Sequence, residues 1–363
     1  MQPGNHGWFY VNFPEQDGDL LAATSIFEMR TLTPLPDPAT GMIRVRLSLV
    51  SVAPMAKMYL ELPGNNTGAA ELGLQRTTIG SPVPSEYIAE VVESKSPAFA
   101  VGDKIWVIGP LFRYRDLAAD GSDQPGGMPP RKVFGGIPAE KLLSVVTPSV
   151  GITAYCAVEH HPCGRVDEPF EQRTILVTSA AGAVGLVLGQ LYKNKGCRVI
   201  GVTSSREKAD RLEQFAGYDA VIAYKTEDLD RRLRELAPAG VDVFIDNVGG
   251  EQLDAGTRHM KIGGRILSIG AISEMDAMVT GNVRGMKEYL RIPARELTLG
   301  GFLMYNHFDK IPGAAKALIT MLMQGRLKSE ETVVRGGLAK WAECVDMVYG
   351  SQTFGRMILA VVD

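Results

Sequence analysis

The sequence is poor in cysteine. Four in 363 residues (Cys156, Cys163, Cys197 and Cys344) are too few and too scattered for a disulfide framework, and they suit a reducing, cytoplasmic location. Neither sign of charge is in excess. Lys and Arg number 38 against 41 Asp and Glu, and the net charge of −3 gives no reason to expect nucleic acid or an anionic membrane as partner. No apolar run approaches the length of a membrane span. The opening MQPGNHGWFYVNFPEQDGD lacks a basic region followed by an apolar stretch, so it does not read as a signal peptide. Repeats and low-complexity tracts are missing. So is a G-x-S-x-G elbow, and no Ser, His and Asp are spaced as a hydrolase set. Only one cluster looks metal-like, Cys156-x-x-x-His160-His161-x-Cys163. A helix over TAYCAVEHH would put Cys156 and His160 on one face, but no second cluster matches it and Pro162 breaks the geometry. A helix end with capping histidines is the expectation, and no metal.

What is present is ordinary for a globular chain: 45% hydrophobic and 22% charged residues. The length implies two domains. The first part reads as β-rich. MIRVRLSLVSV (42–52), YIAEVVES (87–94) and KIWVIG (104–109) have strand-like content between Gly, Pro and Asp turns. PGNNTGAAELG (63–73) and the stretch 113–131 read as loops, the second a candidate cover for a site. From residue 174 the pattern changes. Five apolar strands alternate with helices, and LTLGGFLMY (297–305) reads as a sixth strand. That alternation predicts a parallel sheet with helices on both faces. ETVVRG and RMILAVVD at the end are β-like again. The predicted layout is discontinuous: a β-rich domain of residues 1–151 and 326–363, and a doubly wound α/β domain of residues 152–325.

The turn after the first of these strands is TSAAGAVGLVLGQ (178–190). A dinucleotide fingerprint reads G-x-G-x-x-G; here Ala180 takes the first glycine's place, while Gly182 and Gly185 keep the other two. The middle glycine lets backbone approach a pyrophosphate, the last lets helix pack on strand, and the helix N-terminus offers free N–H groups. The first glycine serves turn tightness, a role a small alanine can fill. A plain strand–helix turn is the bland alternative. The context favours a nucleotide: the turn follows an apolar strand, opens a helix and begins a βαβ unit. At the end of the second strand stand Thr203, Ser204, Ser205, Arg206, Glu207 and Lys208. No acid ends the strand to hold a ribose 2′-OH, whereas two hydroxyls, an Arg and a Lys suit a 2′-phosphate, so NADPH is expected over NADH. Asn247 and the Gly270–Ala271 backbone end the next strands and fall on the ligand side of such a sheet.

In this order AAGAVG, GCRVIGVTSSREK, AYKT, FIDNVGG and IGAIS resemble the zinc-independent medium-chain dehydrogenase/reductases, above all the prostaglandin, curcumin and alkenal double-bond reductases. VVESKSPAFAVGD (91–103) and GITAY (151–155) extend the resemblance forward. It implies a Rossmann domain plus a GroES-like β-rich domain, a homodimer, and NADPH-dependent reduction of the C=C bond of an enone or enal without zinc. It also implies cofactor contacts at Gly182, Ala183, Val184 and Gly185, at Lys208 for the 2′-phosphate, and at Tyr224 and Asn247. Gly270, Ala271 and Ile272, with the backbone of Phe302, Leu303 and Met304, would line the nicotinamide side. Where zinc-dependent relatives carry Cys and His, this chain has Ala53 and Ser85. The substrate half departs from the pattern: Met275 stands at the tyrosine proposed to assist the enolate, and Thr353 and Arg356 replace an Asn and a Lys. Tyr59, Tyr289 and Tyr305 are possible hydroxyl donors, each equally readable as core or wall, and no catalytic residue is assigned. The alternatives are a quinone reductase of the same fold and a non-catalytic NADPH-binding protein.

Overall fold

The computed structural model describes residues 4–13, 15–16, 19–20, 22–57, 77–124, 129–133, 135–160, 169–274 and 284–362. The 63–73 stretch, Tyr59, His161, Cys163 and Met275 lie outside them, as does the side chain of Tyr305. The chain divides into two units, Met1–Leu143 with Glu331–Asp363, and Ser144–Glu330.

The first unit is built around the strand Met42–Val52. It pairs antiparallel with Pro84–Ser94 and with the tail strand Arg356–Val361. The tail strand Glu331–Gly336 joins parallel to Arg356–Val361, with the helix Trp341–Tyr349 between them. That helix fills an aromatic core: Trp341 lies edge-on to Phe27 at 4.9 Å and tilted against Trp8 at 5.5 Å. The Trp8 indole donates to the Leu338 carbonyl at 3.0 Å. Residues 330 apart therefore share one core, which is why the tail belongs to this unit. Two sequence expectations fail here. The stretch 113–131 is not all loop, because Tyr114–Ala118 is a strand paired with Met42–Val52. Its charges hide it: Asp116 takes two hydrogen bonds from buried Arg44, at 2.8 and 3.0 Å, so the polar residues pair across strands. And Ala139–Glu159, which runs on into the second unit, is a helical stretch of 21 residues, apolar and long enough by composition to cross a membrane, although 78% of its apolar 18-residue window is buried inside the protein.

The second unit carries the α/β sheet. Its elements in order are β1 (Thr174–Val177), α1 (Ala183–Asn194), β2 (Arg198–Thr203), α2 (Arg206–Ala216), β3 (Ala220–Ala223) and α3 (Leu229–Leu236). β4 (Val241–Asp246), α4 (Gly250–Arg258), β5 (Met260–Ser268) and β6 (Thr298–Gly301) complete it. The six strands are all parallel in the order β3-β2-β1-β4-β5-β6. This is the doubly wound Rossmann sheet. Every residue of β4 is buried, so the strand is a continuous apolar run broken only by acids at its second and last positions. α2 starts because Ser205 caps it, its hydroxyl accepting from the Lys208 amide at 3.3 Å, and stops because Gly217 turns left-handed at φ +71°. One boundary differs from the sequence pattern. MKIGG, expected to close the α4 segment, is the first half of β5, entered through a bulge opposite Val241 and a left-handed Gly263. β6 is likewise shorter than its apolar run, ending at Gly301 before a 3-10 turn over Met304–Asn306.

Candidate functional site

The turn between β1 and α1 is closed by the Gly182 amide, which donates to the Ser179 carbonyl at 2.9 Å. Ser179 holds the left-handed φ of +51°, a conformation that favours glycine. Gly182 is the N-cap of α1, and a Cβ there would lie 2.8 Å from the Ser179 hydroxyl. A Cβ on Gly185 would collide with the Ser179 carbonyl and stand 2.7 Å from the Ala180 Cα, so the helix can approach the strand end only with glycine there. The alanine in the first position is fully buried and its amide donates to the Val202 carbonyl at 2.9 Å. Its methyl fits because the adjacent strand has a glycine: a Cβ on Gly201 would sit 2.9 Å from it. Gly182, Ala183 and Val184 stay partly exposed. The first-turn amides of α1 have no partner within the helix, and with its dipole they are the donors a helix N-terminus offers to an anion.

Tyr218, which leads into β3, buttresses this turn. Its hydroxyl donates to the Gly185 carbonyl at 2.7 Å. Its ring fills a slot that Gly189 and Gly201 leave open, since a Cβ on either would overlap or crowd it. Burial pushes the phenol far above its ordinary range, so it stays a donor.

The ends of β2 and β3 meet where the Tyr224 amide donates to the Thr203 carbonyl at 2.9 Å. Ser204 and Ser205 are half-buried beside them and Tyr224 is exposed. The Lys208 amine is held below the usual lysine range, first by burial and then by the charge of Lys225. Arg206, counted with the cations above, is diverted. Its guanidinium lies 2.7 Å from Asp210 and 3.2 Å from Glu213, so acids on its own helix occupy it. Lys225, whose charge reaches Lys208, was not singled out by sequence, which offers only a lysine after a strand with no spacing signal to separate it from a solvated charge.

The ends of β1 and β4 are clamped together. The Thr178 hydroxyl donates to the buried Asp246 carboxylate at 3.0 Å and accepts from the Asn247 amide at 2.9 Å. The Asn247 side-chain amide donates to the Thr178 carbonyl at 2.8 Å. Asp246 also accepts from the Val248 and Gly249 amides at 3.1 and 3.0 Å. Burial raises its pKa, and these bonds partly counter the shift. The backbone after β5 leans on the same corner: the Gly270 and Ile272 amides donate to the Asp246 and Asn247 carbonyls at 3.3 and 3.4 Å, leaving Ala271 between them partly exposed. After β6 the Phe302 amide donates to the Ser268 carbonyl at 3.0 Å, so Leu303 and Met304 follow directly off the strand end. All fifteen residues singled out for a cofactor therefore lie at or just past the carboxyl ends of the six strands. That is where a doubly wound sheet binds ligands.

Among the described residues no group of three or more His, Cys, Asp or Glu is placed to hold a metal ion. Ala53 offers no donor, and Glu86 beside Ser85 faces Arg356 at 3.9 Å, both buried. Arg356 in turn donates to the Ser51 hydroxyl at 2.6 Å. Cys156 is buried, its thiol pushed up to about 11, and His160 ends the helix Thr153–Glu159 with its amide on the Cys156 carbonyl. Of the possible hydroxyl donors, Tyr289 is 64% exposed on the turn before Arg291–Ala294.

Comparison with known proteins adds names. The family described as zinc-binding dehydrogenase matches residues 183–320. Prostaglandin reductase 1 of Oryctolagus cuniculus is 32% identical over 322 residues, 86% of this chain and 82% of the relative. The 2-alkenal reductase (NADP(+)-dependent) of Nicotiana tabacum is 29% identical over 286 residues, 78% of each. The solved structure of CurA from Vibrio vulnificus in complex with NADPH has the same fold over 99% of both chains, with a TM-score of 0.80 at 22% identity.

Proposed function

This chain belongs to the zinc-independent medium-chain dehydrogenase/reductase family, and on that premise we propose that it is an NADPH-dependent reductase of C=C bonds conjugated to a ketone or aldehyde. The observation that carries the reading is the run of strand ends from Gly182 to Met304, a dinucleotide cradle whose 2′-side has lysine and no strand-end acid. Relatives described as prostaglandin and 2-alkenal reductases supply the substrate class.

The bound dinucleotide supplies a hydride equivalent at its nicotinamide. The chain's part is to hold and orient. Gly182, Ala183, Val184 and Gly185 take the pyrophosphate on backbone N–H groups. Ser204, Ser205, Lys208 and Tyr224 take the adenosine ribose and its phosphate. Asn247, with the backbone of Gly270, Ala271, Ile272, Phe302, Leu303 and Met304, lines the nicotinamide side. With the dinucleotide bound, hydride would add to the substrate β-carbon, the π pair would move to the carbonyl oxygen as an enolate, and a proton from water would complete the saturated product. In this reading a hydroxyl or amide donor holds that oxygen.

Met275 in place of the family tyrosine keeps a second reading open, a quinone reductase of the same fold, because quinone reduction does not need that enolate donor. A homodimer and a cytoplasmic location are proposed with the first reading. The edge strand β6, whose Leu299 is 45% exposed, supports the former. Product identity after NADPH turnover on enones, enals and quinones tests the assignment.

A further inference from the structure

We infer that Lys225 is a second cation of the 2′-phosphate subsite and that Lys208 and Lys225 together set the preference for NADPH over NADH. This rests on the proposed cofactor reading and deepens it.

The argument begins with what is taken. Arg206 suits a phosphate best by chemistry, since its planar fork can grip two oxygens. But it is spent on Asp210, Glu213 and the Val221 carbonyl, with Glu227 at 4.0 Å. Those acids are themselves fixed. Glu213 accepts from the Val221 amide at 3.0 Å, and Glu227 accepts from the Ala223 amide at 2.7 Å and pairs with Arg232 at 2.9 Å. This ring of charges is closed on itself. Two other cations on these elements are Lys208, in the first turn of α2, and Lys225, two residues past β3.

The ladder brings them to one place. Tyr224 is hydrogen-bonded to Thr203, so Lys225 follows immediately beside the loop Ser204–Ser205 that leads to Lys208. After burial, the charge of Lys225 is what lowers the Lys208 amine, and Glu207 partly offsets it. Two like charges at the ribose end of the proposed dinucleotide site suit a monoester phosphate of nearly two negative charges and give a 2′-hydroxyl no matching gain. Discrimination then comes from a difference of affinities at this one subsite.

The test is equilibrium binding of NADPH, NADH and 2′,5′-ADP to the full chain, for wild type, K225A, K225R and K208A. Lys225 is exposed, so its variants are expected to fold as the parent does. K225A should weaken NADPH and 2′,5′-ADP by about tenfold, leave NADH within twofold, and be rescued by K225R. Equal loss for NADPH and NADH, or less than a twofold loss of NADPH, would overturn the inference while leaving the cofactor reading intact. Wild type that binds NADPH no better than NADH would overturn both.

Discussion

The methyl of Ala180 faces Gly201 so closely that a Cβ on that glycine would stand 2.9 Å away. The glycine absent from the β1–α1 turn has, in effect, moved to the neighbouring strand. The same missing Cβ makes room for the Tyr218 ring. Gly201→Ala should therefore strike two neighbours at once and destabilise the chain by roughly 1–3 kcal/mol. Adding Ala180→Gly should recover part of the loss by removing one of them. Urea unfolding midpoints of the two variants check this; a neutral Gly201→Ala would mean the packing is looser than described.

Tyr218→Phe keeps the ring in its slot and removes only the bond to the Gly185 carbonyl. We expect a loss of about 1–2 kcal/mol in stability. NADPH and NADH should weaken by the same factor, because the pyrophosphate turn is common to both. Thermal unfolding and paired titrations measure it, and a change in the ratio of the two affinities would contradict the role.

Lys208 should give NADPH binding a pH dependence that NADH lacks. Its amine loses its proton more easily than an ordinary lysine, through burial and Lys225. The phosphate favours the charged amine, so binding draws a proton back. NADPH affinity should therefore be complete at neutral pH and fall as pH rises, starting below the usual lysine range, while NADH affinity stays flat. Titrations of both cofactors from neutral to alkaline pH check the sign. In Lys208→Ala this NADPH-specific dependence should shrink.

Asp246→Asn would put an NH₂ among donors that now point at a carboxylate: the Thr178 hydroxyl and the Val248 and Gly249 amides. A loss of about 1–3 kcal/mol is expected. The KM for NADPH should rise, because the clamp between β1 and β4 also fixes Asn247. Unfolding and KM measured on the same preparation test whether the clamp serves both.

Much of this was legible in the sequence. The strands β1 to β4, the turn and the Ser205-to-Gly217 helix follow local rules of period, cap and stop, while the ends of β5 and β6 are reset by the bulge against β4 and by the turn after Gly301. What was not legible depended on distant partners. Tyr114–Ala118 reads as loop until Arg44 is seen to take Asp116. Trp8 cannot announce its core, because Trp341 closes it from the other end of the chain. Arg206 looks like a phosphate ligand until Glu213 claims it, and Lys225 looks like solvated charge until the β2–β3 ladder sets it near Lys208.

The most direct measurement is NADPH oxidation against matched panels of enones, enals and quinones, with products identified by mass spectrometry. The account predicts turnover on enones and enals, giving saturated carbonyl compounds with the C=O intact. Allylic alcohols as products, turnover on quinones alone, or tight NADPH binding with no turnover on either panel would contradict it.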